Sequence, residues 1–174
     1  MTFRFKIVVV GDYGVGKTTL INRFVDERFE EDYKPTLGVQ FTKKDMKIGE
    51  DLVELIIWDI AGQESYFEIR QRFYEHTTGF FLVYDVTRKN SFKNVKKWYN
   101  DVIEYTGAIP CILIGNKIDL TEQISVRKQD VTEMLLNSKI EFAETIRTSA
   151  KTGENVEESF RSLVNLILKK YKTF

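Results

Sequence analysis

The sequence predicts an α/β protein, a mostly parallel sheet with helices on both faces. Continuous apolar runs of strand length recur along the chain, and stretches with helical apolar spacing lie between them. One pair of strand-like runs joined by a short turn adds a hairpin.

Phe5 to Val10 is a buried-type strand because its apolar run is continuous. The glycine-rich stretch GDYGVGKTT, residues 11 to 19, follows it and opens a helix over Lys17 to Val25. Phe41 to Ile48 and Leu52 to Ile60 form the hairpin, with Gly49-Glu50-Asp51 as its turn. Gly79 to Val86 and Cys111 to Gly115 are again buried-type strands, and Ile140 to Ile146 is a weaker, alternating one. Phe92, Val95, Tyr99 and Val102 fall on one face of a helix, as do Val156, Phe160, Leu163 and Ile167 in another. Those stripes are read as core packing.

At 174 residues the chain is expected to be one domain, 1–174, with a proper core. Lys+Arg and Asp+Glu balance at 26 each, so no global field recruits nucleic acid or an anionic membrane. Cys111 is the only cysteine, which excludes an internal disulfide and a cysteine-rich zinc site, and its apolar strand makes it a core residue. His76, the only histidine, has no histidine or cysteine partner nearby and is read as a surface or partner-facing residue. Trp98-Tyr99 fits a partly buried helix, not a nucleic-acid platform. No apolar run approaches the roughly 20 residues needed to cross a bilayer. The start MTFRFKIVVVGDYG reads as a strand, not a signal peptide. The ending LKKYKTF carries no cysteine, so a prenylation box is absent. The expectation is a cytoplasmic monomer that does not anchor to membranes alone and becomes peripheral to them only through a longer lipidated form or a partner.

The spacing Gly11-x-x-x-x-Gly16-Lys17-Thr18, placed between a strand and a helix, is a phosphate-binding loop. Glycines let the backbone turn tightly and aim successive N–H groups at a polyphosphate, and the helix that begins near Lys17 adds the positive end of its dipole. Lys17 brings a full charge to the terminal phosphates, and the Thr18 hydroxyl can ligate Mg²⁺. Asn116-Lys117-Ile118-Asp119 directly follows a strand, where open α/β sheets bind ligands. Asp119 offers two acceptors, which match the ring N1–H and exocyclic amine of guanine and find no such pair on adenine. Taken singly this stretch could also be an ordinary turn; Ser149-Ala150-Lys151, after the last strand, favours the guanine reading.

GDYGVGKT, WDIAGQE, NKID and TSAKTGEN, in this order and at these intervals, resemble the small GTPases of the Ras superfamily. The resemblance runs from Phe3 to about Leu168 and is greatest to the Rab branch, through LGVQF at 37–41, FFLVYDVT at 80–87 and TSAKTGEN at 148–155. Gln40 and Ile60 depart from it, because Rab proteins usually have an acidic residue and a threonine there.

The resemblance implies a P-loop G domain with a six-stranded sheet in which Phe41 to Ile48 is the one antiparallel strand. It implies that the backbone of Gly14, Val15, Gly16, Lys17, Thr18 and Thr19 wraps the phosphates of GTP or GDP. Phe29 would stack on the guanine, Asn116 and Asp119 would fix it, and Lys117 would lie along it. Ala150 would donate its N–H to the guanine oxygen, and Ser149 and Lys151 would hold that loop. Switch regions near residues 30–41 and 60–76 would control binding of effectors, an exchange factor and an activating protein. Tyr33 and Thr36 belong to the first, and Asp59, Gly62 and Gln63 to the second. Thr18, Thr36 and Asp59 would hold Mg²⁺, Asp59 through water; Thr36 and Gly62 would touch the γ-phosphate. Gln63, with Lys17 and Thr36, would form the catalytic set of a slow GTPase. Whether Arg70 or Arg72 acts in cis is not readable from the sequence.

Tyr13 is far larger than the glycine or serine the family places there. An inward ring would crowd Gln63 and the attacking water; an outward ring, the favoured pose, keeps hydrolysis and restricts an external arginine. Two other functions stay in view. A GTP-locked scaffold would not need Gln63, Thr36 and Asp59, and a P-loop kinase would have no use for the guanine-reading motifs.

Overall fold

A computed structural model describes residues 1–27, 29, 36–63 and 67–173. Strand β1 (Thr2–Val10) sets the architecture by strict alternation. Phe5, Ile7 and Val9 face one core, while Val8 and Val10 face the other. Strands β2 (Val39–Ile48) and β3 (Asp51–Ile60) form the hairpin, and β4 (Gly79–Asp85), β5 (Cys111–Asn116) and β6 (Glu144–Thr148) complete the sheet. The strand order is β2-β3-β1-β4-β5-β6. The β2–β3 pair is antiparallel and the other four pairings are parallel, as expected of an α/β sheet covered on both faces.

Helices α1 (Lys17–Asp26) and α6 (Val156–Lys172) cover one face. The Phe24 and Phe160 rings stack 3.8 Å apart between them, so the helix that follows the glycine loop is fixed to the last helix. Helices α2 (Phe67–Arg70), a single turn continued by a 3₁₀ turn at Gln71–Phe73, α3 (Lys89–Lys93), α4 (Val95–Thr106) and α5 (Lys128–Asn137) complete the set. Trp98 and Val102 of α4, with Val131 of α5, pack the second core. Among the described residues no helix is long and apolar enough to cross a membrane.

Three expectations need correction. The segment expected as one helix with Phe92 and Val95 is two, because Asn94 both ends α3 and starts α4. Within α4, Trp98 is buried while Tyr99 is half-buried, so the indole leads the apolar face. The last strand runs Glu144–Thr148, not Ile140 to Ile146: β5 pairs Ile112 with Glu144 and Asn116 with Thr148, so earlier residues lie beyond the ladder. Ile140 is buried nonetheless. Helix α5 adds to the sequence reading: Val131, Met134 and Leu135 stand at helical spacing and pack against the second core, while Leu136 is exposed. Its start is closed by Arg127 N–H donating to Asp130 Oδ2 at 2.6 Å, a local cap. Cys111 is buried, and burial pushes its thiol up, as a core cysteine requires. His76 is exposed and holds a left-handed φ of 60°.

Candidate functional site

The glycine loop leaves the carboxyl end of β1 and turns into α1 at Gly16, whose φ of 98° is left-handed. A Cβ there would meet Asn116 Nδ2 at 2.4 Å, so both backbone conformation and space demand glycine. Lys17 is buried, and its Nζ donates to Gly11 O and Asp12 O, each at 2.9 Å. Burial lowers its pKa from 10.5 to about 8, against the pull of the Asp59 and Asp12 carboxylates. That handicap on the charged form is about 3 kcal/mol, and an adjacent polyphosphate would offset it.

Asn116, at the end of β5, ties the glycine loop to the end of β6 and the turn after it. Its Nδ2 donates to Val15 O at 3.1 Å, and its Oδ1 accepts from Thr148 Oγ1 and from Ala150 N–H, both at 3.1 Å. A guanine oxygen would therefore be a second acceptor for the Ala150 N–H. Lys117 donates to Gly14 O at 2.8 Å and pairs with Asp85 at 2.8 Å. Burial pushes the Asp85 carboxyl up, but hydrogen bonds from Lys117 and Thr87 outweigh it and hold the group below the ordinary range. Asp119 Oδ1 accepts from Ser149 Oγ at 2.7 Å, and Ser149 Oγ in turn accepts from Thr152 N–H. Ser149 thus ties this loop to Asp119, and Lys151 is exposed at its rim.

Thr18, Thr36 and Asp59 come together although they are far apart in sequence. The two hydroxyl oxygens lie 2.5 Å apart; Thr18 donates to Asp59 Oδ2, and Thr36 lies 3.4 Å from the same oxygen. Asp59 is buried and its Oδ1 has no hydrogen-bond partner. Burial raises its pKa, opposed by the Thr18 and Thr36 hydroxyls and the Lys17 charge. One carboxylate with an orphaned oxygen beside two hydroxyls suits a hard cation that also takes substrate phosphates, as Mg²⁺ does. Among the described residues no cluster of three His, Cys, Asp or Glu side chains offers a softer site.

Gly62 rests on the glycine loop: a Cβ there would fall 2.5 Å from Gly11 O and from Tyr13 N. Ala61 N–H donates to Gly38 O at 2.9 Å, which joins the segments after Thr36 and before Gln63. Gln63 is half-buried, and Phe29 is half-buried. Tyr13, 42% exposed, lines the same small cavity as Gly16, Lys17, Thr18 and Thr36. Tyr33 lies outside the described residues.

Sequence reasoning missed the supports of the loop. Both Asp12 carboxylate oxygens accept from the second helical layer, from Asn94 Nδ2 and Trp98 Nε1, each at 2.7 Å. Arg70, buried, lays its guanidinium 4.2 Å above the Trp98 ring, and its Nη1 lies 3.5 Å from Gln63 O. Arg88 Nη2 donates to Tyr13 O at 2.8 Å. The charge of Asp12 inside a glycine loop was the one signal on view; its partners stand more than 80 residues away.

The sequence model of the Ras family matches residues 6–169. Ras-related protein Rab-15 of Rattus norvegicus is 37% identical over 169 residues, covering 97% of this chain and 78% of that protein. Ras-related protein Rab-13 of the same organism is 37% identical over 95% of this chain and 81% of its own length. Ras-related protein Rab-1 of Theileria parva is 38% identical over 95% of this chain and 74% of its own. With a family match over nearly its whole length and Rab proteins among its relatives, this chain belongs to the Ras family of small GTPases.

Proposed function

We propose that this protein is a guanine-nucleotide switch: it binds GTP and GDP with Mg²⁺, hydrolyses GTP slowly and presents a different surface to partners in each form. The convergence of Lys17, Asn116, Lys117 and the Thr18–Thr36–Asp59 cluster around one glycine loop carries the reading. The loop from Gly14 to Thr19 receives the phosphates on its N–H groups and the start of α1, and Lys17 meets the terminal ones. Asp119 accepts the two guanine donors, Asn116 and Lys117 fix and flank the base, and the Ala150 N–H meets its oxygen. Adenine would leave Asp119 desolvated and unpaired, which favours guanine by about 10⁴ or more.

Thr18, Thr36 and Asp59 would hold Mg²⁺, which supplies positive charge to the terminal phosphate oxygens. Gln63 orients a water for in-line attack on the γ-phosphorus; the bond to the β-phosphate oxygen breaks, and GDP and phosphate leave. Lys17 meets the negative charge that shifts toward that oxygen. Thr36 and the Gly62 N–H sense the γ-phosphate, and its loss releases both segments. For Ras itself the intrinsic rate is about 10⁻⁴ s⁻¹ and a partner's arginine raises it about 10⁵-fold; the same order is expected here.

Leu37, Phe41 and Ile69 are 71%, 63% and 49% exposed and lie near the γ-phosphate sensors in sequence. Apolar side chains left in water there support a nucleotide-dependent surface for effectors and an exchange factor. A role in membrane traffic or signalling follows by analogy with the Rab relatives. The test is binding of fluorescent (mant) GTP with GTP or ATP as competitor, followed by single-turnover hydrolysis. GTP alone should compete and phosphate should appear slowly. Equal competition by ATP would remove the base assignment, and binding without any phosphate release would make the protein a locked scaffold.

A further inference from the structure

The carbonyl oxygens of the glycine loop are taken one after another by side-chain donors. Gly11 O and Asp12 O accept from Lys17, Gly14 O from Lys117 and Val15 O from Asn116. Tyr13 O, in the middle of the series, accepts from Arg88 Nη2 at 2.8 Å. A carbonyl facing a polyphosphate would repel it, so each such bond helps keep the phosphate side of the loop a surface of N–H groups. Four of these bonds come from residues already placed at the phosphates or the base. The fifth does not.

Arg88 reaches over from the turn after β4, and the second nitrogen of its fork, Nη1, stands 3.2 Å from where a Gly14 Cβ would be. Gly14 has a φ of 76°, a region only glycine enters cheaply. Glycine at 14 leaves the peptide between Tyr13 and Gly14 free to turn over, and a flip would point Tyr13 O toward the phosphates. The backbone of Arg88 is held without its side chain: its N–H donates to Asp85 O at 3.0 Å, and its carbonyl accepts from Ser91 Oγ at 2.7 Å. The side chain can be exchanged without undoing the turn.

We propose that Arg88 is a positioning residue for nucleotide retention: its guanidinium pins the Tyr13 carbonyl away from the phosphate side and places a positive charge beside the loop. GDP and GTP are held alike, because the contact lies on the loop and not on the γ-phosphate sensors. The proposal rests on the guanine-nucleotide reading, and its test separates the two.

The full chain is loaded with mant-GDP and chased with excess GDP. If the unaltered protein does not bind mant-GDP, the nucleotide reading falls. If it does, Arg88→Ala should release mant-GDP about fivefold faster, the loss of one charge-assisted hydrogen bond at an exposed site. Arg88→Lys, which keeps the charge and one donor, should stay within about twofold of the original. The nucleotide-free thermal midpoint of Arg88→Ala should match that of the original protein, whereas a merely structural role would lower it. Unchanged release in Arg88→Ala, equal acceleration in both variants, or acceleration matched by a lower nucleotide-free midpoint overturns the proposal and leaves nucleotide binding standing. Should Arg88→Ala fail to fold, Arg88→Gln removes the charge and the distal donors while keeping a polar side chain, and is held to the Arg88→Ala outcomes.

Discussion

Asn116 and Asp59 are both buried polar side chains at the carboxyl ends of strands in one sheet, and their bonding could hardly differ more. Asn116 donates once and accepts twice, all to protein atoms. Asp59 satisfies one oxygen with two hydroxyls and leaves the other, buried, with none. A buried polar group without a partner costs about 1–3 kcal/mol, more when charged. The half of the site proposed to read the base is held by the protein's own bonds. The half that would hold the cation and sense the γ-phosphate keeps an uncompensated cost that a cation would remove. Recognition benefits from preorganisation, whereas a switch needs a contact whose satisfaction depends on what is bound.

The base half is broken most severely at Asp119. Asp119→Asn should weaken GTP by about 10²-fold or more and turn preference toward a xanthine base, whose carbonyl suits an amide donor. Calorimetry showing unchanged GTP affinity would refute the assignment. The cation half responds differently. Asp59→Asn removes a carboxylate whose pKa burial has raised. Because the folded state holds that proton more tightly than the unfolded chain, the group's contribution to stability falls as pH rises through the folded pKa. The variant should therefore unfold at an equal or higher temperature at neutral pH without nucleotide, while its Mg²⁺-dependent GDP affinity drops about tenfold or more. Stability and affinity falling together would mean that Asp59 is a structural group.

Lys17 sharpens the same contrast through its proton. With a pKa near 8 in this structure, it is largely neutral at pH 9, and a bound polyphosphate raises its pKa again. Nucleotide binding should then take up a proton above pH 8, and affinity should fall by up to about tenfold per pH unit over the next unit or two. Titration in buffers of different ionisation enthalpy measures the uptake; none at pH 9 would contradict the assigned environment. The smallest effect is expected at Tyr13, whose side chain is 42% exposed. Tyr13→Gly should raise single-turnover hydrolysis by less than about tenfold, or about 1.4 kcal/mol of barrier. A larger rise would place the ring in the catalytic pose, and a fall would make it a builder of that pose.

Most of the fold was legible because β1, β4 and β5 carry continuous apolar runs. The run Ile7-Val8-Val9-Val10 can be satisfied only with a core on each side, and it has both. The phosphate loop was legible because glycine spacing, lysine and threonine lie within eight residues. What escaped depends on distant partners. The start of β6 is fixed by where β5 begins, and the ends of Ile140 to Ile146 say nothing of that. Asn94 breaks a helix whose apolar spacing continues past it, while its side chain bonds Asp12, 82 residues away. The contact of Arg88 with Tyr13 has no local signature either, since an arginine after a strand is ordinarily a solvated charge.

The central claim, that one half of the site is complete and the other is set by the γ-phosphate, is tested most directly by amide hydrogen exchange. The protein would be compared with bound GDP and with a non-hydrolysable GTP analogue, both with Mg²⁺. Protection should rise with the analogue at Thr36–Phe41 and Gly62–Phe73, and should stay the same at Asn116–Asp119 and Ser149–Gly153. Equal changes in both halves, or a change confined to the base loops, would contradict it.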